Sequence, residues 1–327
     1  MIFTSSILQW FAENGRDLAW RQTKNPYAIW LSEIILQQTR VVQGEGYWHR
    51  FMQRWPTVEL LAAASEDEVM REWQGLGYYS RARNLHKAAL QIAELGYFPN
   101  TYETIKELKG VGDYTAAAIA SFAFGEPVAV LDGNVFRVLA RYFGIDTPID
   151  TTLGKKTFRE MAQTLIDYQQ PDNYNQAIMD FGALQCTPSA PQCTTCPLAD
   201  TCVAYAENSV KELPKKSKKI KQKIRKLSYV YLRCNGDIVI HKRGAGDIWQ
   251  GLWEFPSSDS LSAFNWQQKL LAKGVKHVLT HQIIYIDFHL LETTVRPSLP
   301  QDFLWIKEED LANYALPRGL ELLLDYL

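Results

Sequence analysis

Four of the chain's five cysteines fall in one run, Cys186, Cys193, Cys196 and Cys202, separated by six, two and five residues. Thiolates so close in sequence can converge on one inorganic centre. Four sulfurs suit tetrahedral zinc, but a zinc ribbon uses two Cys-x-x-Cys pairs and only Cys193 and Cys196 form one here. An iron-sulfur cluster accepts the uneven spacing more readily. Disulfides are the alternative, and nothing else in the sequence points to an oxidising compartment. A second feature is Leu108-Lys109-Gly110-Val111-Gly112-Asp113-Tyr114-Thr115. Gly110 and Gly112 let the backbone turn tightly and bring its N–H groups up to an anion at the start of the next helix. That reads as a helix-hairpin-helix over about 101–124, a grip on phosphate; a plain interhelical turn is the competing reading. The third feature is Glu33, the one acidic residue of the segment 28–39, which is apolar on most faces as a buried helix would be.

Those residues need two kinds of scaffold. With 327 residues, 46% hydrophobic and 22% charged, the chain is too long for one compact helical domain and has apolar material for two or three cores. The pattern before residue 210 is helical, with further segments expected at 57–73, 80–95, 101–108, 113–124, 134–143, 155–168 and 174–184. After the linker the period changes to two: 229–233 and 237–240 read as strands around the hairpin signal Asn235-Gly236, and 283–293 as another strand. Helices are expected near 259–273 and 317–327, which makes the second part α+β. Between them, residues 211–226 carry nine Lys or Arg against one Glu, so the remainder sums to −9 although the whole chain is at −1. This block reads as a self-repelling tether that also clamps phosphates. The organisation is therefore 1–210 helical, with the cysteine loop at 186–202, then the linker 211–226, then 227–327. The first residues carry no basic leader, and the longest apolar candidate, Thr115 to Phe124, is about half of what a bilayer requires. A protein of the reducing cytoplasm, with no membrane contact, is the expectation. The fifth cysteine, Cys234, lies in a strand pattern and reads as a buried free thiol.

The hairpin, the Asp132 that follows an apolar run, and the cysteine loop together resemble the endonuclease III superfamily of DNA repair glycosylases. Four stretches look most like its adenine-removing members: Arg16-Asp17-Leu18-Ala19-Trp20-Arg21, Leu31-Ser32-Glu33-Ile34-Ile35-Leu36-Gln37-Gln38-Thr39, Gly75-Leu76-Gly77-Tyr78-Tyr79-Ser80-Arg81 and Leu131-Asp132-Gly133-Asn134. The resemblance implies a mainly helical glycosylase part and a monomer. It also implies one [4Fe-4S] cluster on Cys186, Cys193, Cys196 and Cys202. The partner implied is double-stranded DNA with adenine opposite 8-oxoguanine or guanine. Breaking the glycosidic bond requires protonating the base as the sugar becomes a cation. Glu33, which desolvation should keep protonated, suits the general acid, against the alternative of an exposed helix residue. Asp132 precedes a helix, where free N–H groups should keep it ionised to stabilise the sugar cation, with Asn134 orienting the site; its plain reading is a helix cap. Tyr114 stands where strand-cutting relatives carry Lys. A phenol forms no imine, which implies a monofunctional enzyme, unless Tyr114 merely packs in the core. The resemblance assigns the adenine pocket to Arg16, Leu18, Trp20, Arg21 and Gln176, the wedge in the base stack to Gln38 and Tyr78, and further DNA contacts to Thr39, Leu76, Gly110 and Gly112.

Residues 248–256 resemble a strand of the Nudix fold, yet the following Ser257-Ser258-Asp259-Ser260-Leu261-Ser262-Ala263-Phe264-Asn265-Trp266 lacks the glutamates that would hold a divalent ion, which speaks against nucleotide hydrolysis. In the resembling family this domain reads 8-oxoguanine through a Phe-Ser-His loop. Leu279-Thr280-His281 occupies that place, departing at two of three positions while Thr280 keeps the hydroxyl. Two other readings compete with adenine removal: a bifunctional pyrimidine-damage glycosylase with lyase activity, and a non-catalytic DNA-binding iron-sulfur protein.

Overall fold

In the computed structural model, residues 2–217, 222–261 and 268–327 are described. The chain divides into two units, Met1–Leu60 with Lys87–Lys219, and Leu61–His86 with Ile220–Leu327. The first carries the hairpin and cysteine loop; the second is built on a sheet.

The first unit is helical. It contains α1 (Ile2–Asn14), α2 (Pro26–Ile35), α3 (Val41–Arg54), the start of α4 (Val58–Ala63) and the end of α6 (Ser80–Leu95). They are followed by α7 (Tyr102–Lys106), α8 (Asp113–Phe124), α9 (Gly133–Phe143), α10 (Thr152–Leu165), α11 (Pro171–Asp180) and α12 (Val203–Ala206). Its centre is the packing of α2 on α8. Every residue from Tyr27 to Ile35 and from Thr115 to Phe122 is buried, so these two helices have no polar face to turn to water. Asn25, whose side chain accepts from Tyr27 N at 2.9 Å, and Pro26 start α2 where sequence rules place a cap and a first-turn proline. α2 ends at Ile35 rather than continuing to 39, because Gln38 sits in the left-handed region at φ 57°. The segment expected at 57–73 is two helices, α4 and α5 (Glu66–Glu72), split by Ser65 and Glu68 in a capping box. The expectations passed over α1 and α3. α11 runs on into a π-helical turn at Phe181–Gln185, directly before Cys186.

In the second unit, α5 and the adjoining parts of α4 and α6 accompany a sheet ordered β3-β2-β1-β5-β4, with β6 also pairing β2. The strands are β1 (Lys223–Cys234), β2 (Asp237–Lys242), β3 (Trp253–Glu254), β4 (Lys269–Val278), β5 (Gln282–Thr293) and β6 (Phe303–Lys307), and a short α13 (Arg318–Glu321) runs into a 3-10 turn at Leu322–Tyr326. β1 and β5 are parallel; the other pairs are antiparallel. Asn235 and Gly236, at φ 51° and 85°, make the hairpin that their identity signals. Alternation along β1 sends Tyr229 and Tyr231 into one core with Ile284, Ile286, Phe288 and Leu320, and Val230 and Leu232 into a second with Val239 and Leu291.

Three expectations are corrected. The helix near 259–273 is a short turn at Asp259–Leu261, then residues 262–267 outside the described ones, then strand β4. β4 is an irregular partner of β5, with register shifts around Ala272; these hide the period-two pattern, and pairing overrides the helical leaning of Leu270-Leu271-Ala272. Within 248–256 only Trp253–Glu254 is strand, because Trp249 and Gly251 take positive φ. The basic block is strand from Lys223 onward: its backbone pairs with β5, and Arg225 meets Asp247 at 2.6 Å, which offsets its charge repulsion. Residues 218–221 of that block lie outside the described ones. Among the described residues no helix is long and apolar enough to cross a membrane.

Candidate active site

The two carboxyls singled out from the sequence are both buried in the first unit. Glu33, near the end of α2, is 6% exposed and accepts a hydrogen bond on Oε2 from the Tyr114 hydroxyl at 2.8 Å. Burial pushes its carboxyl up to about 7, with the Asp132 charge adding to the rise, while the Tyr114 donor and Arg21 pull it back. Tyr114, near the start of α8, therefore does more than pack in the core. Burial and the neighbouring Glu33 and Asp132 raise its hydroxyl well above the usual phenol range, so it stays a donor.

Asp132 is the N-cap of α9. Its Oδ1 accepts from Val135 N and its Oδ2 from Asn134 Nδ2, each at 2.8 Å. The cap is therefore present, but burial outweighs it and the carboxyl is raised overall, against the expectation that the helix end alone would hold it low. Asn134 is itself held by Arg137, whose Nη2 donates to Asn134 Oδ1 at 2.8 Å and to Gly182 O at 2.5 Å, while Nε donates to Cys186 O at 2.7 Å. Glycine at 182 permits this closeness: a Cβ there would lie 2.7 Å from Asn134 Cβ.

A cavity beside Glu33 is lined by Trp20, Arg21, Thr23, Lys24, Ile29, Phe122 and Gln176. Sequence reasoning named Trp20, Arg21 and Gln176 and missed Thr23, Lys24, Ile29 and Phe122. It also placed Arg16 and Leu18 in the pocket. Leu18 is buried just before the short turn Ala19–Arg21 and does not line the cavity. Arg16 is turned instead onto Asp180, donating from N at 3.0 Å and Nε at 2.9 Å. Asp180, which no motif flagged, has no exposed side-chain surface and also takes both Arg21 Nη atoms, at 2.8 and 2.9 Å. The signal that could have found it is its spacing, one helical turn after Gln176.

Of the remaining residues, Gly110 adopts φ 78° in the hairpin and Gly112 caps α8. A Cβ at Gly112 would meet nothing within 4 Å beyond its own chain neighbours, so the space in front of that backbone is open. Gln38 is exposed and Thr39 half-buried in the turn after α2. In the second unit, Tyr78 (φ 46°, 44% exposed) shares a hydrogen bond with the Thr280 hydroxyl, and Leu76, Tyr78, Thr280 and His281 line one cleft with Trp249, His277 and Arg318. Tyr79 is the buried member of the Tyr pair.

Cys186, Cys193, Cys196 and Cys202 are unpaired and line one small cavity with Arg141 and Tyr205. Backbone N–H groups are aimed at sulfur, from Leu198 to Cys196 and from Ala204 and Tyr205 to Cys202, and Arg141 Nη1 lies 3.4 Å from Cys186 Sγ. Burial nevertheless pushes the Cys193, Cys196 and Cys202 thiols up, Cys196 to about 11, so a bound metal would have to supply the charge that makes them thiolates. Among the described residues, no group of three or more His, Cys, Asp or Glu is arranged to hold a metal ion. The four cysteines are thus neighbours around a cavity rather than a closed site.

The helical part with its hairpin and buried carboxyls matches a HhH-GPD superfamily base excision DNA repair protein over residues 31–165, and residues 228–326 match a NUDIX domain. A thermostable thymine-DNA glycosylase has a similar structure, with TM-score 0.59 and 31% identity, over 63% of this chain and 96% of its own. A trapped endonuclease III–DNA intermediate shares the fold at TM-score 0.55 and 22% identity, again over 63% of this chain and 94% of its own. Adenine DNA glycosylase of Buchnera aphidicola subsp. Baizongia pistaciae is 37% identical over 88% of this chain and 85% of its own length. The human adenine DNA glycosylase is 44% identical over 62% of this chain and 39% of its own. The chain belongs to the adenine DNA glycosylase (MutY) family.

Proposed function

We propose that this protein removes adenine mispaired with 8-oxoguanine or guanine from duplex DNA, as a monofunctional glycosylase of base excision repair. The observation that carries the reading is that Glu33, buried and raised to about 7, opens on the same cavity as Trp20, Arg21 and Gln176. An amide pairs with an adenine edge, an indole stacks on it, and a carboxyl that keeps its proton near neutrality can give it to a ring nitrogen. The cavity as it stands has room for no more than a water or two and must widen for the extruded adenine to enter, and unstacking the base costs a few kcal/mol that pocket contacts must offset. Glu33 protonates the base as the glycosidic bond lengthens. Asp132, with two donors on its oxygens against one on Glu33, is the better placed of the pair to carry negative charge toward the sugar cation. Two carboxyls so placed do not both ionise easily, so the charge on Asp132 helps Glu33 to keep its proton. Asn134 fixes the Asp132 carboxylate and Tyr114 fixes Glu33.

Gly110 and Gly112 present the hairpin backbone to a phosphate, with Thr39 and Leu76 as further DNA contacts. Gln38 and Tyr78 enter the stack, and Thr280 and His281 read the damaged base. Residues 1–210, apart from 61–86, which cluster with the sheet unit, form the glycosylase half, and 227–327 the lesion-reading half. Cys186, Cys193, Cys196 and Cys202 would hold one [4Fe-4S] cluster, which would brace the loop against DNA, since hydrolysis of this bond involves no net oxidation or reduction. The protein acts as a monomer in the reducing cytosol of a bacterium.

The test is a duplex bearing adenine opposite 8-oxoguanine, incubated with the protein and then analysed with and without alkali. Breaks only after alkali, and no adduct trapped by borohydride, are expected. Breaks without alkali, or strong trapping, would show an imine-forming lyase, and intact strands in both arms would leave a binding protein.

A further inference from the structure

The proposed acid acts only while Glu33 keeps its proton, yet the guanidinium of Arg21 stands in the wall of the same cavity and favours the carboxylate. The structure supplies a counter-charge. Asp180, the last residue of α11, is fully buried and receives Arg16 N, Nε and Nη2 together with Arg21 Nη1 and Nη2. Arg21 Nη1 also donates to the Arg16 carbonyl at 2.8 Å, so one carboxylate ties the 16–21 segment to the helix that carries Gln176. Burial works against the charge on Asp180, but donors from Arg21 and Arg16 outweigh it and hold the carboxyl below its ordinary value.

We propose that Asp180 is a positioning residue for base release: it fixes Arg21 in the cavity wall and offsets the charge that Arg21 would otherwise impose on Glu33. This rests on the reading of Glu33 as general acid. Glu33 is faced by Tyr114 from α8, Asp132 from the start of α9 and Arg21 from the turn Ala19–Arg21. Lys24 lines the same cavity and is paired with Asp172 at 2.5 Å. Asp180 itself is faced by Arg16 and Arg21. With two cations on one carboxylate, the cluster carries a surplus positive charge, and that surplus can be raised or lowered by single substitutions. Asp180→Asn removes the negative partner and should favour ionised Glu33. Arg16→Gln, at a side chain 30% exposed, removes one cation and should do the reverse.

The experiment is single-turnover adenine release by the full chain from the adenine:8-oxoguanine duplex, measured across the pH range from about 5 to 9. The rate should fall as pH rises through the titration of Glu33. Asp180→Asn should move that falling limb down by about one pH unit, and Arg16→Gln should move it up. A purely architectural Asp180 would lower the plateau rate in both variants and leave the limb where it is, which would overturn the proposal. Should Asp180→Asn not fold, as judged by circular dichroism, Arg16→Gln decides alone: an upward limb supports the proposal and an unmoved one sinks it. A wild-type protein that releases no adenine removes the reading of Glu33 and this inference with it. An active wild type whose limb neither variant moves removes only the inference.

Discussion

If Glu33 is held protonated by burial, its ionisation must weaken the fold, and Glu33→Gln should reveal by how much. The folded carboxyl is raised to about 7 from an ordinary value of 4.5. Below the ordinary value both folded and unfolded chains carry the proton and ionisation costs nothing. As pH rises from there the unfolded chain loses the proton first, so stability declines, and the decline ends once pH passes the folded value. The interval, about 2.5 pH units, corresponds to roughly 3 kcal/mol. Gln has the same shape, carries no charge at any pH and keeps an oxygen for the Tyr114 hydroxyl. Glu33→Gln should therefore come close to the wild type in stability at about pH 4 and exceed it by up to about 3 kcal/mol at about pH 8, while adenine release is lost throughout. Urea unfolding of both proteins at the two pH values, followed by circular dichroism, measures this. Titrating groups that do not interact with Glu33 are common to the pair and cancel in the difference; Asp132 and Tyr114, which face it, are the ones that do not. A stability difference that stays constant with pH would mean that Glu33 titrates as an ordinary carboxyl, and the acid role would lose its physical basis.

Tyr114→Phe removes the donor 2.8 Å from Glu33 Oε2, a bond that favours the carboxylate, so the falling limb of the pH–rate profile should move up by about one unit. Thr280→Val removes the hydroxyl shared with Tyr78 and should reduce the kcat/KM preference for adenine opposite 8-oxoguanine over adenine opposite guanine by about tenfold, or about 1.4 kcal/mol. An unchanged ratio would take lesion reading away from Thr280. Cys196→Ser removes one of four sulfurs around a common cavity and should abolish the iron content and visible absorption of the purified protein; iron retained in full would exclude that residue as a ligand.

Much of the site was legible in the chain because its parts are local. The hairpin depends on Gly110 and Gly112, the α9 cap on Asp132 and the residues just after it, and the cysteine loop on spacing within seventeen residues. Glu33 could be singled out because a helix with every residue from Tyr27 to Ile35 buried must bury its acid as well. Where strand pairing dominates, local reading failed: β4 looked helical because its alternation is broken by bulges, and the basic block hid the first residues of β1 because their partners lie on β5, roughly sixty positions away.

Residue type and spacing by themselves determined which groups could do chemistry here: an acid in an apolar helix, a capped aspartate, a glycine-bearing turn before a helix and four thiols. Only the tertiary structure decided their partners. It set Tyr114 on Glu33, Arg137 between Asn134 and the carbonyl of Cys186, and Asp180 between two arginines that sequence reasoning had assigned to the pocket. The proton affinity of a buried carboxyl is set by the few charges and donors within hydrogen-bonding distance of it, and those come from distant parts of the chain that only folding brings together.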